Sequence, residues 1–567
     1  MLTNSPVVRS AGARILFLLS AAVTVAILLW MHQMRLRGEG GELTPIFFIL
    51  FAYEDYGATV LALLILLVAV LVPVQPAARR ILRWAGEHPL TIAVISLLVL
   101  CAGALVVYHD HPLSMDEYAA YFQSQAFAAG HLAGRFPPAL MDWLIPPGFQ
   151  NFFLVVSHAT GNVASSYWPG FALLLTPFTW AGIPWVCNPL ISALTLLVIH
   201  RLALHMFADT EAAGLAMLLT VASPVFFGMG ISYYSMPAHL LANSLYALLL
   251  IRPTLLKAAA AGIVGSIALS LHNPVPHILF AVPWLIWIAT RQGGMRLFAS
   301  LCAGYLPLCL LLGIGWFEFS NHLMAEGLAD SKAKGDAISR LKGIADFFTA
   351  PTASVFVARS IALAKVWVWA VPGLALLAGM GAWQWRHNPL CRLLTASALL
   401  TLIGYLFVPV DQGHGWGYRY FHSAWVALPL LAAAALAPCT AASSESYPLT
   451  TGNTRAGLDA AVSFVTACTL LTLVFGVGLR ASQMHNFIGR DMAQVPQYTA
   501  TEPRVVIIDS GNTFYGVDLV QNDPWLRDGV IRMVSHGPEA DSRMMARFFP
   551  RLHRVSADDF ASVWSAK

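Results

Sequence analysis

Two adjacent carboxylates, Asp116 and Glu117, follow an apolar run of residues and lie within the sequence HDHPLSMDEYAAYFQ at 109–123. A carboxylate at the boundary of an apolar segment can act as a general base that takes a proton from a hydroxyl group. Ser114 and Glu117 have the S-x-x-E spacing of a capping box, which satisfies backbone N–H groups at the start of a helix. This structural role explains Glu117 but not Asp116, whose side chain points about 100° away around the helix. Asp116 is therefore the first candidate catalytic residue, and Glu117 is the second.

Two arginines and one histidine could bind an anionic group near these carboxylates. Arg135 is the only Lys or Arg in residues 109–186, and Arg419 lies in the sequence WGYRY. A guanidinium can bind an oxyanion through two parallel hydrogen bonds. His239, in SYYSMPAHLLANSL, is the third candidate, because an imidazole can bind an anion or a metal ion. The alternatives are a solvent or lipid-headgroup contact for Arg135, an interfacial anchor for Arg419 and a structural role for His239.

Three tyrosines, Tyr118, Tyr121 and Tyr420, are the candidate lining of a substrate pocket because they adjoin the carboxylates or Arg419. The HDH triplet at 109–111 has no third ligand at zinc-site spacing, which favours His–Asp pairing over a metal site. The sequence has no G-x-G-x-x-G motif between a strand and a helix, so a dinucleotide site is not predicted. We predict no definite cofactor, with a divalent metal ion as the alternative.

Membrane-spanning helices must position these residues. The sequence is 57% hydrophobic and 11% charged, and its mean hydropathy of +0.66 is too high for a soluble domain of this length. Apolar windows of about 18 residues, long enough to cross the hydrocarbon core, recur along the chain. We predict an all-α polytopic membrane protein with about thirteen spans, a large outward first loop and a small C-terminal α/β appendage.

Three longer segments remain outside the predicted spans, at residues 109–186, 318–359 and 480–567. The first is too long for a simple connection, and the second mixes charged and apolar residues as an interfacial amphipathic helix does. The third contains the strand-like sequence RVVIID and the helix-like sequence EADSRMMARFF. The predicted organisation is transmembrane helices at 1–108, an outward loop with the catalytic motif and surface helices at 109–186, transmembrane helices at 187–317, an outward amphipathic loop at 318–359, transmembrane helices at 360–479 and an α/β tail at 480–567.

The distribution of basic residues predicts the orientation. With a cytoplasmic N-terminus, most arginines and lysines between the spans lie inside, whereas the segment 109–186 holds one arginine and faces outward. An odd number of spans then puts the tail outside as well. The first span is not followed by a cleavage-site pattern, so we expect it to be an anchor. The net charge of +4 reflects the inside loops and does not indicate nucleic-acid binding.

Several motifs, taken in order, are similar to those of a known family. The DE…Y motif of the first outward loop is followed by SYWPGFALLLTPF at 166–178, HGWGYRYFHSAWVALPLL at 414–431 and NDPWLRDGVI at 522–531. This order resembles bacterial integral-membrane glycosyltransferases of the GT-C superfamily, including the protein mannosyltransferase-like, aminoarabinose transferase-like and rhizobial lipopolysaccharide galacturonosyltransferase-like groups. His239 occupies roughly the place of a second acidic residue in many relatives, a departure that puts metal dependence in doubt.

The resemblance implies a sugar transfer from a polyprenyl-phosphate donor to an envelope glycan, lipid or protein at the periplasmic face of the bacterial inner membrane, with inversion. It implies that Asp116 is the base, that Arg135, Arg419 and His239 are candidates to bind the donor phosphate, and that the bilayer, donor and acceptor are the partners. A transporter or flippase of lipid-linked glycans is one alternative, and it should have repeat symmetry and charged residues at mid-span. A non-catalytic assembly protein of the same fold is the other alternative.

Overall fold

A computed structural model describes residues 10–38, 45–72, 74–326, 348–437, 452–496, 504–512 and 515–566 of the chain. The centre of the amphipathic segment predicted at 318–359 lies outside the described residues.

Most of the described chain is helical and apolar. Within the described residues, seven helices are long and apolar enough to cross a membrane: Ala11–Leu36, Ile46–Leu71, Pro89–Val106, Pro184–Phe207, Gly294–Ala325, Pro389–Phe407 and Gly457–Ala493. An eighth candidate is a pair bent by 63°, Thr210–Ala222 and Pro224–Gly230. Shorter apolar helices are Gly170–Trp180, Met236–Ile251, Leu255–Ser270, Val275–Thr290, Leu374–Gln384 and Ala427–Leu436. The all-α polytopic prediction is confirmed, and the count of about thirteen spans stays a prediction.

Local sequence sets several helix boundaries. The side chains of Asp209, Thr254, Thr352 and Asn388 each accept a hydrogen bond from a backbone N–H group in the first turn of the helix that follows. Such caps satisfy N–H groups that the helix itself leaves without partners. Further helices are Gln75–Glu87, which precedes the Pro89–Val106 span, and Ala353–Val368.

Small residues allow close approach of the Leu255–Ser270 and Gly294–Ala325 helices. A Cβ added at Gly262 would lie 2.1 Å from the Leu301 carbonyl oxygen, and one added at Gly304 would lie 2.1 Å from the Ala259 carbonyl oxygen. Packing through small residues is a common way for helices to associate in a membrane. The glycines thus set the distance between these two helices.

Asp55 lies in a buried ion cluster that joins three helices. Its carboxylate accepts hydrogen bonds from Lys365 (2.6 Å), Arg480 (2.6 Å) and the Trp369 indole (2.8 Å). Asp55 follows the π-helical turn Leu50–Glu54 in the second span. Removing one partner of a buried ion pair typically costs about 3–5 kcal/mol, because the other charge is left without compensation.

The first loop, residues 109–186, forms a layer against the membrane helices. Its first element is the motif helix, Met115–Ala128, which ends before Gly130, and the φ of +80° at this glycine is typical of the residue that follows a helix. It is followed by a small antiparallel sheet with the strand order β1-β3-β2, where β1 is Gly134–Arg135, β2 is Leu154–Val156 and β3 is Asn162–Ser165.

The tail contains the predicted strand and helix. The last long helix runs to Ala493, and its 37 residues correspond to roughly 55 Å, well beyond the hydrocarbon core of about 30 Å. A four-stranded sheet follows, with the order β5-β4-β7-β6 and the helix Pro538–Phe548. Its strands are β4 (Arg504–Ile508), β5 (Val530–Val534), β6 (His553–Ala557) and β7 (Ala561–Ser565).

The first loop and the tail share one apolar core. Loop residues and tail residues occur together in a single buried cluster, including Met115, Phe122, Leu154, Val163, Val505, Ile507, Met533 and Met544. Two folded segments that pack together in this way lie on the same side of the membrane. The core therefore brings the tail onto the motif helix.

Candidate active site

The motif helix begins without the capping box that the sequence predicts. The Ser114 side chain makes no cap, and its hydroxyl lies 2.9 Å from the Tyr234 hydroxyl. The Met115 N–H group instead donates to the Asp518 carboxylate of the tail, at 3.0 Å. The capping-box prediction is wrong because both of its side chains have partners in other segments of the chain.

Glu117 is fully buried and is surrounded by hydrogen-bond donors. Its carboxylate accepts from the backbone N–H groups of Leu113 (2.9 Å) and Tyr233 (2.7 Å) and from the Tyr108 hydroxyl (3.0 Å). Burial raises the pKa of Glu117 to about 8, although these donors act in the opposite direction. Glu117 thus connects the motif helix to two neighbouring segments.

Replacement of Glu117 by Gln is expected to reduce the free energy of unfolding by about 1–3 kcal/mol. The Gln side chain keeps one carbonyl oxygen, but its NH₂ group then faces a backbone N–H donor of Leu113 or Tyr233. Thermal unfolding in detergent measures the effect. Glu539→Gln is the matched control, because the Glu539 side chain is 92% exposed, and its unfolding temperature should equal that of the wild type. Equal unfolding temperatures for Glu117→Gln and the control would contradict the structural role.

Asp116 lies at the same helix start but faces a different environment. Its side chain is 20% exposed; Oδ2 accepts from Nη2 of Arg419 at 2.8 Å, and Oδ1 accepts from the Tyr167 hydroxyl. Burial favours the neutral acid, but the Arg419 charge and the Tyr167 hydrogen bond outweigh it and hold the pKa of Asp116 below its ordinary value. Asp116 is therefore ionised at neutral pH and can accept a proton.

Arg419 follows the arginine loop, which we define as residues 408–418. The backbone N–H of Arg419 donates to the side-chain oxygen of Gln412 at 2.9 Å, and the Arg419 guanidinium lies 4.4 Å from the centre of the Tyr234 ring. Gly415 has a φ of +116°, and a Cβ added there would lie 2.5 Å from Cδ of Arg419. The glycine thus gives the loop both the backbone conformation and the space that Arg419 requires.

The guanidinium of Arg419 still has donor capacity. Nη2 donates both to Asp116 and to the Gln412 carbonyl, whereas the buried Nε has no hydrogen-bond partner among the described residues. Arg419 is only 4% exposed, and its pKa is raised: desolvation lowers it, but the Asp116 charge outweighs that effect. A permanently charged guanidinium with a free donor beside a carboxylate can bind one oxyanion in addition to Asp116.

Buried aromatic residues support the arginine loop from the membrane side. The ring centres of Trp416, in the loop, and Trp369 are 6.1 Å apart, and the guanidinium carbon of Arg480 lies 4.0 Å from the centre of the Trp369 ring. Trp369 and Arg480 both donate to Asp55, so the buried ion cluster forms the base of this stack. The loop is therefore held by the helix bundle and not only by its own contacts.

Two further residues near Asp116, His272 and Tyr234, are not among the candidates predicted from the sequence. His272 lies against Tyr167 with ring centres 3.8 Å apart, in a segment that reads only as a Pro-rich turn. Tyr234 contacts both Ser114 and Arg419, whereas His239 is the residue of the same segment that the sequence indicates as a candidate. The sequence SYYS is rich in tyrosine, but it does not indicate which tyrosine faces Arg419.

The other candidates for phosphate binding, Arg135 and His239, have different surroundings. Arg135 is exposed on β1, where its backbone N–H donates to the Pro524 carbonyl at 2.8 Å. His239 is fully buried in the Met236–Ile251 helix, and neither of its ring nitrogens has a hydrogen-bond partner in the described part of the chain. Among the described residues, no hydrogen bond or ion pair joins Arg135 or His239 to Asp116.

The three candidate pocket tyrosines have different surroundings. Tyr118 is buried and exchanges hydrogen bonds with the backbone of Asn522 in the tail, at 2.6 and 2.9 Å. Tyr121 packs against the ring of Tyr233 at 5.5 Å. Tyr420 stacks on Tyr405 at 4.5 Å, and its hydroxyl donates to a loop carbonyl. Of the three, Tyr420 is adjacent to Arg419 in sequence and interacts electrostatically with Asp116. Among the described residues, no group of three or more His, Cys, Asp or Glu side chains could hold a metal ion.

Known structures share this architecture. No protein-family model matches the sequence, and no curated protein is significantly similar to it. ArnT from Cupriavidus metallidurans bound to undecaprenyl phosphate matches 84% of this chain and 98% of its own length, with a TM-score of 0.51 and 12% identity. The apo state of the same protein matches 84% of this chain and 97% of its own, with a TM-score of 0.49 and 13% identity. At this identity the likeness is one of fold alone, and the ArnT-like fold agrees with the resemblance that the sequence motifs indicated.

Proposed function

We propose that the protein is a membrane glycosyltransferase that transfers a sugar from a polyprenyl-phosphate donor to an acceptor of the cell envelope, with inversion at the anomeric carbon. The observation that carries the proposal is the pairing of an ionised, partly exposed Asp116 with a buried Arg419 at 2.8 Å. Such a transfer needs a base for the acceptor hydroxyl and a cation for the phosphate. The fold relative bound to undecaprenyl phosphate supports a lipid-phosphate donor.

The chemistry assigns one role to each residue. The acceptor oxygen forms a bond with the anomeric carbon while the bond from that carbon to the donor phosphate breaks. The hydroxyl proton moves to the Asp116 carboxylate, and polyprenyl phosphate leaves with its new negative charge bound by Arg419. Since no step needs a nucleotide, the lack of a dinucleotide motif agrees with the proposal.

The donor also changes the basicity of Asp116. Arg419 holds the pKa of Asp116 down, and a phosphate bound to the same guanidinium would compete with Asp116 for its charge and its Nη2 donor. Asp116 would then become a stronger base only when the donor is bound. This coupling favours a sequence in which the donor binds before the proton is removed.

The direct test is transfer by the purified protein in lipid vesicles. Synthetic polyprenyl-phosphate sugars would be supplied together with envelope fractions as acceptors, and the products identified by mass spectrometry. Comparison of envelope glycans from a deletion strain and its parent would identify the natural acceptor class. The proposal fails if no sugar is transferred from any polyprenyl-phosphate donor by folded protein.

The transporter alternative has one observation in its favour, the Asp55, Lys365 and Arg480 cluster. Ionisable residues within membrane spans frequently lie on transport pathways. The three side chains satisfy one another and are all nearly inaccessible, which favours a structural role. Movement of a fluorescent lipid-linked glycan between vesicle leaflets would distinguish the alternative, and a transferase should not cause it.

We propose that the first outward loop and the tail are periplasmic and that the N-terminus is cytoplasmic, in a bacterial inner membrane. In a cysteine-free background, Ala159→Cys in the loop and Ser510→Cys in the tail should both react with a membrane-impermeant maleimide in intact spheroplasts. Both positions are exposed, so burial does not block the reagent. Labelling of either position only after lysis would contradict this orientation.

A further inference from the structure

A short turn of the tail reaches the start of the motif helix. We define the tail turn as residues 515–522, which include the 3₁₀ helix Gly516–Leu519. Asp518 in this turn is only 7% exposed, and its Oδ1 accepts the hydrogen bond from Met115 N–H at 3.0 Å. Met115 directly precedes Asp116, so the tail supplies the cap that fixes the first turn of the motif helix.

Two more residues of the tail turn bind the same segment. The Gln521 side-chain amide donates to the Pro112 carbonyl at 2.8 Å. The backbone of Asn522 both donates to and accepts from the Tyr118 hydroxyl. The tail turn therefore holds the chain at Pro112, Met115 and Tyr118, on both sides of Asp116.

The same turn also touches the arginine loop. Oδ2 of Asp518 lies 3.5 Å from Nε2 of His414, and the rings of Tyr515 and His414 are 5.0 Å apart. One carboxylate of the tail thus contacts both the segment that carries Asp116 and the loop that leads to Arg419.

We propose that Asp518 is a positioning residue, whose carboxylate fixes the first turn of the motif helix relative to the arginine loop so that Asp116 faces Arg419 and the donor phosphate. The inference rests on the proposed function and deepens it, because it makes the tail a part of the active site. Asp518 touches neither substrate nor the reacting atoms, and acts through Met115 and His414.

The surroundings of Asp518 disfavour its ionised form. Burial raises the pKa of Asp518 to about 8, and the nearby Asp491, Asp116 and Glu117 charges act in the same direction. Ser114, the residue that would normally cap this helix, has its hydroxyl at Tyr234. The geometric demand on the motif helix therefore explains why a distant carboxylate takes the place of a local cap.

The test compares Asp518→Ala with Asp518→Asn in the full-length protein. Asn keeps a side-chain oxygen for Met115 N–H, so it should retain most of the wild-type kcat. Ala removes the cap, and a displaced Asp116 should lower kcat by roughly 10–100-fold, whereas the KM for the donor should change much less. Gln521→Ala, which loses only the bond to Pro112, should show a smaller loss of kcat and serves if Asp518→Ala does not fold.

Asp541→Ala is the matched control. Asp541 is a buried tail carboxylate that accepts from the His536 backbone and the Trp143 indole and does not touch the motif helix. Its kcat should stay at the wild-type value even if the tail loses stability. A loss of kcat in this control equal to that of Asp518→Ala would overturn the proposal, because any weakening of the tail would then suffice.

Hydrogen exchange separates this proposal from the proposed function. Amides at the start of the motif helix should exchange faster in Asp518→Ala than in the wild type and in Asp518→Asn, and this holds whether or not the wild type transfers sugar. An inactive wild type would overturn the glycosyltransferase proposal and leave the exchange result as the test of the cap. Unchanged exchange in Asp518→Ala, or a kcat for Asp518→Asn as low as that for Asp518→Ala, would overturn the positioning role.

Discussion

Replacement of Asp116 by Asn is expected to lower the rate of sugar transfer by roughly 10²–10⁴-fold, the usual cost of losing a general base. The change keeps the size of the side chain and an oxygen for the Tyr167 hydroxyl or for Arg419. It removes the charge that pairs with Arg419 and the group that accepts the proton. Transfer from a synthetic polyprenyl-phosphate sugar, followed by mass spectrometry at saturating donor, measures the effect.

Asp110→Asn is the matched control for Asp116→Asn. Asp110 is an exposed carboxylate of the same loop, and it accepts from the Tyr233 hydroxyl instead of pairing with Arg419. The control should keep a rate near that of the wild type. Near-normal transfer by Asp116→Asn together with a large loss in Asp110→Asn would assign the base to Asp110, and normal transfer by both would remove the base from this loop.

The sequence selects both Asp116 and Arg419 as candidates but does not predict that they pair, since they are 303 residues apart. Each residue lies close to a predicted apolar span, where a charged side chain is costly and a functional role is therefore favoured. The SYWPG motif also contains Tyr167, the second partner of Asp116. The signal in the sequence is strong because a chain rich in membrane helices contains few charged residues, so there are few candidate site residues.

The surroundings of the pair could not be predicted, because they depend on contacts between distant segments. The capping-box pattern is a local rule, and Ser114 and Glu117 satisfy it in sequence while Tyr234 and Tyr233 take their hydrogen bonds in space. The true cap, Asp518, is 403 residues away from Met115. Local spacing therefore does not indicate which distant side chain accepts the hydrogen bond at the start of the helix.

The sequence predicts the class of protein, a polytopic membrane protein, better than it predicts where the helices end. Composition alone requires a membrane protein, and the long apolar helices agree. The last long helix, however, continues past Arg480 to Ala493, because later residues such as Met484, Phe487 and Ile488 are buried against other parts of the protein and need no lipid. A hydropathy window detects the apolar part of a helix and not the place where hydrogen bonding ends.

Replacement of Arg419 by Ala is expected to reduce turnover by roughly 10²–10³-fold, the usual loss when a donor that stabilises a developing charge is removed. Arg419→Lys keeps a positive charge but lacks the planar fork that reaches Asp116, the Gln412 carbonyl and a phosphate together, so donor use should still fall severalfold or more. Arg135→Ala is the comparison, and the exposed position of Arg135 on β1 predicts a smaller loss.

The pH dependence gives Arg419 a second readout that does not depend on protein yield. Because Arg419 holds the pKa of Asp116 below its ordinary value, its removal should raise that pKa. The acid limb of the pH–rate profile follows the ionisation of the base, and it should therefore move to higher pH in Arg419→Ala. An unshifted limb would separate Arg419 from Asp116 in the working enzyme. Unchanged turnover in both Arg419→Lys and Arg419→Ala, at normal protein levels, would reduce Arg419 to an anchor at the membrane interface.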